Sequence, residues 1–153
     1  MLSWPTPRPT LFRITGTVGV VDNPARNAVQ AFANITLVGG ALGDNAFISI
    51  PAGKIFVIEF ASLYASVPGG TVESLGMFVT APQTLGPDQP GHYEYELVIP
   101  PPDSAGFIHG SQTVRLYAQG GTNIQVHFGV TGSNGSRPPN VMVSLSGYLV
   151  SAQ

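Results

Sequence analysis

Cysteine is absent from the 153 residues. That excludes thiol nucleophiles, disulfide staples and thiolate-held metals, and it is neutral about redox compartment. Charge is scarce as well: Asp, Glu, Lys and Arg make up 9% of the chain, against roughly 25% in an average soluble protein. The one lysine, Lys54, and the arginines are spread along the sequence, so no basic cluster exists to displace counterions, and nucleic acid is not expected as a partner. No apolar run approaches the ~20 residues of a membrane-spanning helix, because Gly, Pro or polar residues interrupt every candidate. Met1 to Pro9 lacks a basic stretch followed by an apolar one, so no secretion signal is visible. Long helices have almost nowhere to form among 19 Gly and 14 Pro, each of which costs roughly 1–3 kcal/mol in a helix interior.

What remains is a chain 43% hydrophobic, long enough to bury one real core without staples. Its apolar residues lie in short runs rich in Val, Ile, Phe, Tyr and Thr. In Leu11 to Val21, Phe12, Ile14, Val18 and Val20 share one face, while Arg13, Thr15 and Thr17 share the other, the period of a half-buried strand. Asn123 to Val130 sets Ile124, Val126, Phe128 and Val130 against Asn123, Gln125 and His127, and Val141 to Val150 points Val141, Val143, Leu145 and Leu149 inward. Lys54 to Val67 is apolar on both sides: Ile55, Val57, Ala61 and Leu63 on one, Phe56, Ile58 and Phe60 on the other, so both faces want cover.

Turn chemistry at Pro51-Ala52-Gly53, Pro68-Gly69-Gly70, Gly120-Gly121 and Asn134-Gly135 separates the runs. Further strands are expected near residues 30–38, 46–50, 72–80, 92–99, 105–109 and 112–118, and Asn23-Pro24-Ala25 carries the signal for a turn or two of helix. Eight to ten short strands with Gly/Pro turns predict an all-β, two-sheet antiparallel β-sandwich, with jelly-roll topology ahead of an immunoglobulin-type alternative. Residues 1–10 read as a Pro-rich arm and residues 11–153 as a single jelly-roll domain.

Catalytic constellations are not supported. Ile50-Pro51-Ala52-Gly53-Lys54-Ile55-Phe56 resembles the turn of the second cupin motif, but Phe56 stands where that motif has its metal-binding histidine. In His92-Tyr93-Glu94-Tyr95-Glu96, strand alternation puts His92, Glu94 and Glu96 on one face. Neighbours at i and i+2 on one strand stand ~7 Å apart, so these three do not converge on one ion without ligands from elsewhere; a solvated face is the expectation, with no metal or cofactor. Tyr93 and Tyr95 are candidate ligand contacts for a sugar or a partner, against a competing reading as core or interface. His109 and His127 have no nucleophile or acid that the sequence can place beside them. Glu59 interrupts an apolar face and is expected to meet Arg13 or Arg115 in a structural ion pair. Asn34-Ile35-Thr36 and Asn134-Gly135-Ser136 match the glycosylation pattern, which matters only in a eukaryotic secretory route.

The C-terminal third, Thr113-Val114-Arg115-Leu116-Tyr117, the Gly120-Gly121 turn, Asn123-Ile124-Gln125-Val126 and finally Ser146-Gly147-Tyr148-Leu149, resembles the last strands of the tumour necrosis factor and complement-type globular-head superfamily. The resemblance implies a ten-stranded jelly roll that assembles as a homotrimer and acts by binding. Lys54-Ile55 departs from the family's pattern after the Pro51-Ala52-Gly53 turn.

The leading expectation is therefore a non-enzymatic, homo-oligomeric, trimeric jelly-roll module for structure or recognition on an extracellular or particle surface. Its interface is expected at Phe56, Ile58, Phe60, Tyr64 and Tyr148. The alternatives are a virion or phage structural protein and a carbohydrate-binding module using Tyr93 and Tyr95 or the loop at residues 132–139.

Overall fold

A computed structural model describes residues 18–23, 26–82, 91–132 and 137–152. The Pro-rich arm and residues 11–17 of the first expected strand lie outside them, as do residues 133–136 of the loop at 132–139. The described chain forms β1 (Val18–Asn23), β2 (Arg26–Thr36), β3 (Gly43–Ser49), β4 (Lys54–Ser66), β5 (Thr71–Thr80), β6 (His92–Glu96), β7 (Phe107–Gln119), β8 (Asn123–Thr131) and β9 (Asn140–Ser151).

One sheet runs β1-β2-β9-β4-β7 and the other β3-β8-β5-β6, with every neighbour antiparallel. Apart from the β1–β2 and β5–β6 hairpins, each connection passes from one sheet to the other. The four strands β2-β9-β4-β7 facing β3-β8-β5-β6 make a jelly roll, the double-sheet sandwich expected from the strand pattern. Of the helical signal at Asn23-Pro24-Ala25, residues 24 and 25 lie outside the described residues, and Asn23 itself ends β1 opposite Arg26 of β2. The runs at 105–109 and 112–118 are one strand, β7, which continues through Gly110 opposite Leu63.

The core fills as the alternation requires. Val29, Ala31, Ala33 and Ile35 of β2 and Val141, Val143 and Leu145 of β9 point inward, against Leu75, Met77 and Val79 of β5 and Ile124, Val126, Phe128 and Val130 of β8. Each large aliphatic or aromatic side chain so buried contributes about 1.5–3 kcal/mol. Small residues in the five-stranded sheet, such as Ala31, Ala65 and Ala118, make room for the bulkier side chains opposite.

The doubly apolar strand is resolved by a bulge. The register of β4 shifts between Ile58 and Phe60 against both of its neighbours: Glu59 is the extra residue against β9, whereas Val114 and Arg115 of β7 together stand opposite it, and the inward parity of β4 reverses beyond this point. Phe56 and Ile58 point inward before the bulge, and Ala61, Leu63 and Ala65 point inward after it. Ile55, Val57, Phe60 and Tyr64 therefore share the outer side. This corrects the two-face assignment made from strict alternation.

Candidate functional site

The outer face of the five-stranded sheet is built by β2, β9, β4 and β7 in ladder rows. One row sets Ala28, Tyr148, Val57 and Tyr117 side by side, and the next Gln30, Ser146, Phe60 and Thr113. In the row that follows, Phe32, Ser144, Ser62 and Ser111 line up, and Gln30 Nε2 donates to Ser144 Oγ at 3.1 Å. Beyond it Met142, Tyr64 and His109 are partners. Tyr64 stacks on Phe107 at 5.7 Å between ring centroids and meets the His109 ring edge-on at 5.0 Å.

Phe60 and Tyr117 are each 41% exposed, Met142 is 43% and Val150 is 38%. An antiparallel sheet facing water ordinarily carries polar side chains there. The formal charges set among these rows are Glu59, at the bulge, and Arg115. Arg115 Nε donates to Tyr117 Oη at 3.1 Å, and its guanidinium carbon lies 6.0 Å from the centroid of that ring. That hydrogen bond raises the Arg115 pKa, with smaller contributions from Tyr148 and Glu59. Glu59, Arg115, Thr113 and Tyr95 line one broad open groove at the β7 edge. Arg115 is thus the described basic neighbour of Glu59; Arg13 lies outside the described residues.

Of the residues expected at an interface, Phe60, Tyr64 and Tyr148 lie on this face. Phe56 and Ile58 do not: they are 1% and 0% exposed, inside the sandwich. Their inward direction follows from their place on the near side of the bulge, and it removes them from any contact with a partner.

The two candidate ligand-binding tyrosines stitch the sheets together. Both rings pack on the core. Tyr93 Oη donates to the Tyr117 carbonyl at 2.9 Å and accepts from the Tyr117 N–H at 3.1 Å, which satisfies the open edge of β7 from the neighbouring sheet. Tyr95 Oη accepts from Gln112 Nε2 at 3.0 Å, and Gln112 Oε1 accepts from the Val98 N–H at 2.8 Å. These contacts engage both hydroxyls while the rings pack on the core.

On the outer face of the four-stranded sheet, Glu94 and Glu96 share a side as alternation requires. His92 turns to the neighbouring strand, its Nδ1 3.2 Å from Thr80 Oγ1. The imidazole that approaches the carboxylates is His127 of β8, beside which the sequence alone places no acid. The overlooked signal is Gly76, a glycine inside a strand, which often marks a close approach.

No family model matches the sequence, and no curated protein does. A solved structure, the cryo-EM structure of a virus-like particle of the giant freshwater prawn Macrobrachium rosenbergii extra small virus, is similar at 12% identity and a TM-score of 0.37, over 100% of this chain and 97% of that one. A score of that size does not establish a shared fold; the jelly roll is established by this chain's own strand order. No helix among the described residues is long and apolar enough to cross a membrane.

Proposed function

We propose that this chain is a non-enzymatic structural subunit that packs against copies of itself through the outer face of its five-stranded sheet. The observation that carries the proposal is the exposure of Phe60, Tyr117, Met142 and Val150 on one sheet face, around Tyr64 and Tyr148. Folded monomers seldom leave contiguous apolar patches larger than a few hundred Å² in water. Tyr, Phe, Met and one Arg are also the residue types enriched in interface cores, where Lys, Asp and Glu are depleted. Glu59 and Arg115 have opposite signs, so the face has no single-sign field that would select a charged ligand. A second copy of the same face offers matching apolar area. In this reading residues 11–153 are the assembling domain and residues 1–10 an arm.

Two forms of the assembly are distinguishable. The resemblance to the tumour necrosis factor superfamily implies a trimer on an extracellular surface. Jelly rolls also build virus shells, and a Pro-rich arm suits a tie between neighbouring subunits of a particle. Light scattering at micromolar concentration combined with negative-stain electron microscopy separates them: a trimer supports the first, closed particles support the second, and a dispersed monomer overturns both.

A further inference from the structure

We propose that Glu94, Glu96 and His127 form a binding site for a divalent first-row transition cation, with Zn²⁺ the best fit, on the outer face of the four-stranded sheet. Two carboxylates at i and i+2 of a strand stand too far apart along the backbone to make a site by themselves. The third donor comes from β8, two strands away, with β5 between. The imidazole crosses β5 because Gly76 has no side chain: Gly76 pairs with Glu96 on one side and with His127 on the other. A Cβ at Gly76 would stand 2.7 Å from His127 Cε1.

His127 Nε2 lies 3.7 Å from Glu94 Oε1 and 3.7 Å from Glu96 Oε1, and the three donor groups can all place a ligand atom within 4.8 Å of one another. Separations of 3.7 Å are too long for hydrogen bonds. The atoms surround a gap instead of bonding across it. A zinc ion with bonds of about 2.0–2.2 Å spans each such nitrogen–oxygen separation at an angle of roughly 120°.

The surroundings fix the imidazole. Phe78, also on β5, places its ring 5.1 Å from the His127 ring, and the His127 side chain is only 15% exposed. Its Nδ1 is buried with no hydrogen-bond partner, so Nε2 is the ring nitrogen that can meet a solvent-borne ligand. The carboxylates are 48% and 62% exposed, leaving room for water to complete the coordination. One imidazole with two carboxylates suits zinc, whereas Ca²⁺ takes six to eight oxygens. A bound ion would tie the short edge strand β6 to β8. The site lies on the sheet opposite the proposed assembly face and stands whether or not the chain self-associates.

Calorimetric titration of the full chain with zinc chloride at neutral pH tests the site. One ion per chain is expected, with affinity at least about tenfold weaker in His127→Gln and in the Glu94→Gln/Glu96→Gln double variant, and unchanged in His92→Gln. Circular dichroism checks that each variant is folded. NMR of the unaltered chain gives a second reading: zinc should move the ring signals of His127 and leave those of His92 and His109. No binding, undiminished binding in His127→Gln, an equal loss in His92→Gln, or unmoved His127 signals would overturn the proposal.

Discussion

A single atom, Tyr93 Oη, meets both backbone groups of Tyr117, donating to the carbonyl at 2.9 Å and accepting from the N–H at 3.1 Å. Tyr93 belongs to the four-stranded sheet and Tyr117 to β7, the edge of the five-stranded one. An open edge is a template for unwanted pairing, and here a side chain from the facing sheet closes it. Tyr93→Phe keeps the ring and removes both hydrogen bonds. The expected loss is about 1–2 kcal/mol, read as a lower denaturation midpoint, with faster amide exchange at Tyr117 and increased aggregation on warming.

The same hydroxyl makes stability sensitive to alkali. Burial raises the Tyr93 pKa above the ordinary 10.0, outweighing the hydrogen bond to the Tyr117 backbone, which lowers it. The folded state therefore holds this proton more tightly than the unfolded chain. Its contribution is fully present below the ordinary tyrosine value and is lost as pH rises through the folded one. Denaturant titrations at increasing pH above 9 should show the unaltered chain losing stability, and Tyr93→Phe losing less. Ultraviolet titration should show one tyrosine ionising later than an exposed one.

Gly147 occupies the crowded inner position beside the β4 bulge. It pairs with Ile58 on one side and Val29 on the other, and a Cβ there would overlap the Val57 carbonyl. Backbone cannot move aside as a flexible side-chain tip can, so Gly147→Ala should cost about 3 kcal/mol, the upper end for overpacking. In a domain of this size that lowers the melting temperature by roughly 6–12 °C. The neighbouring Ser146→Ala on the outer face serves as the control, with little change expected.

The strands that alternate cleanly were legible: Ile124, Val126, Phe128 and Val130 of β8 and Val141, Val143 and Leu145 of β9 all point into the core. β4 was legible as a strand but not as a surface. A bulge is a register event between strands, and a half-buried Glu59 between two apolar stretches carries no local mark of the parity change. The assignments of Phe56 and Ile58 failed for that reason, while Phe60, beyond the bulge, turned out exposed. The cation site was half legible. Glu94 and Glu96 were placed on one face correctly, but the third donor depended on which strand lies two positions away. His92 is near in sequence, and His127 is near in space because Gly76 lets it across. Tyr93 and Tyr95 were recognised as alternating aromatics, yet their hydroxyl partners, Tyr117 and Gln112 of β7, are set by how the sheets stack.

In the proposed assembly the outer face of the five-stranded sheet joins copies of this chain. Phe60 lies in the ladder between Ser146 and Thr113, and Met142 lies beside Tyr64; both side chains point away from the core. A Phe60→Glu/Met142→Glu double variant should therefore fold normally while placing two like charges in each copy of the contact. Sedimentation velocity compares it with the unaltered chain at equal micromolar concentration. The unaltered chain should sediment as an oligomer or particle and the double variant as a monomer with the same circular dichroism spectrum. A monomeric unaltered chain, or a double variant whose assembly is unchanged, would show that this face does not join copies.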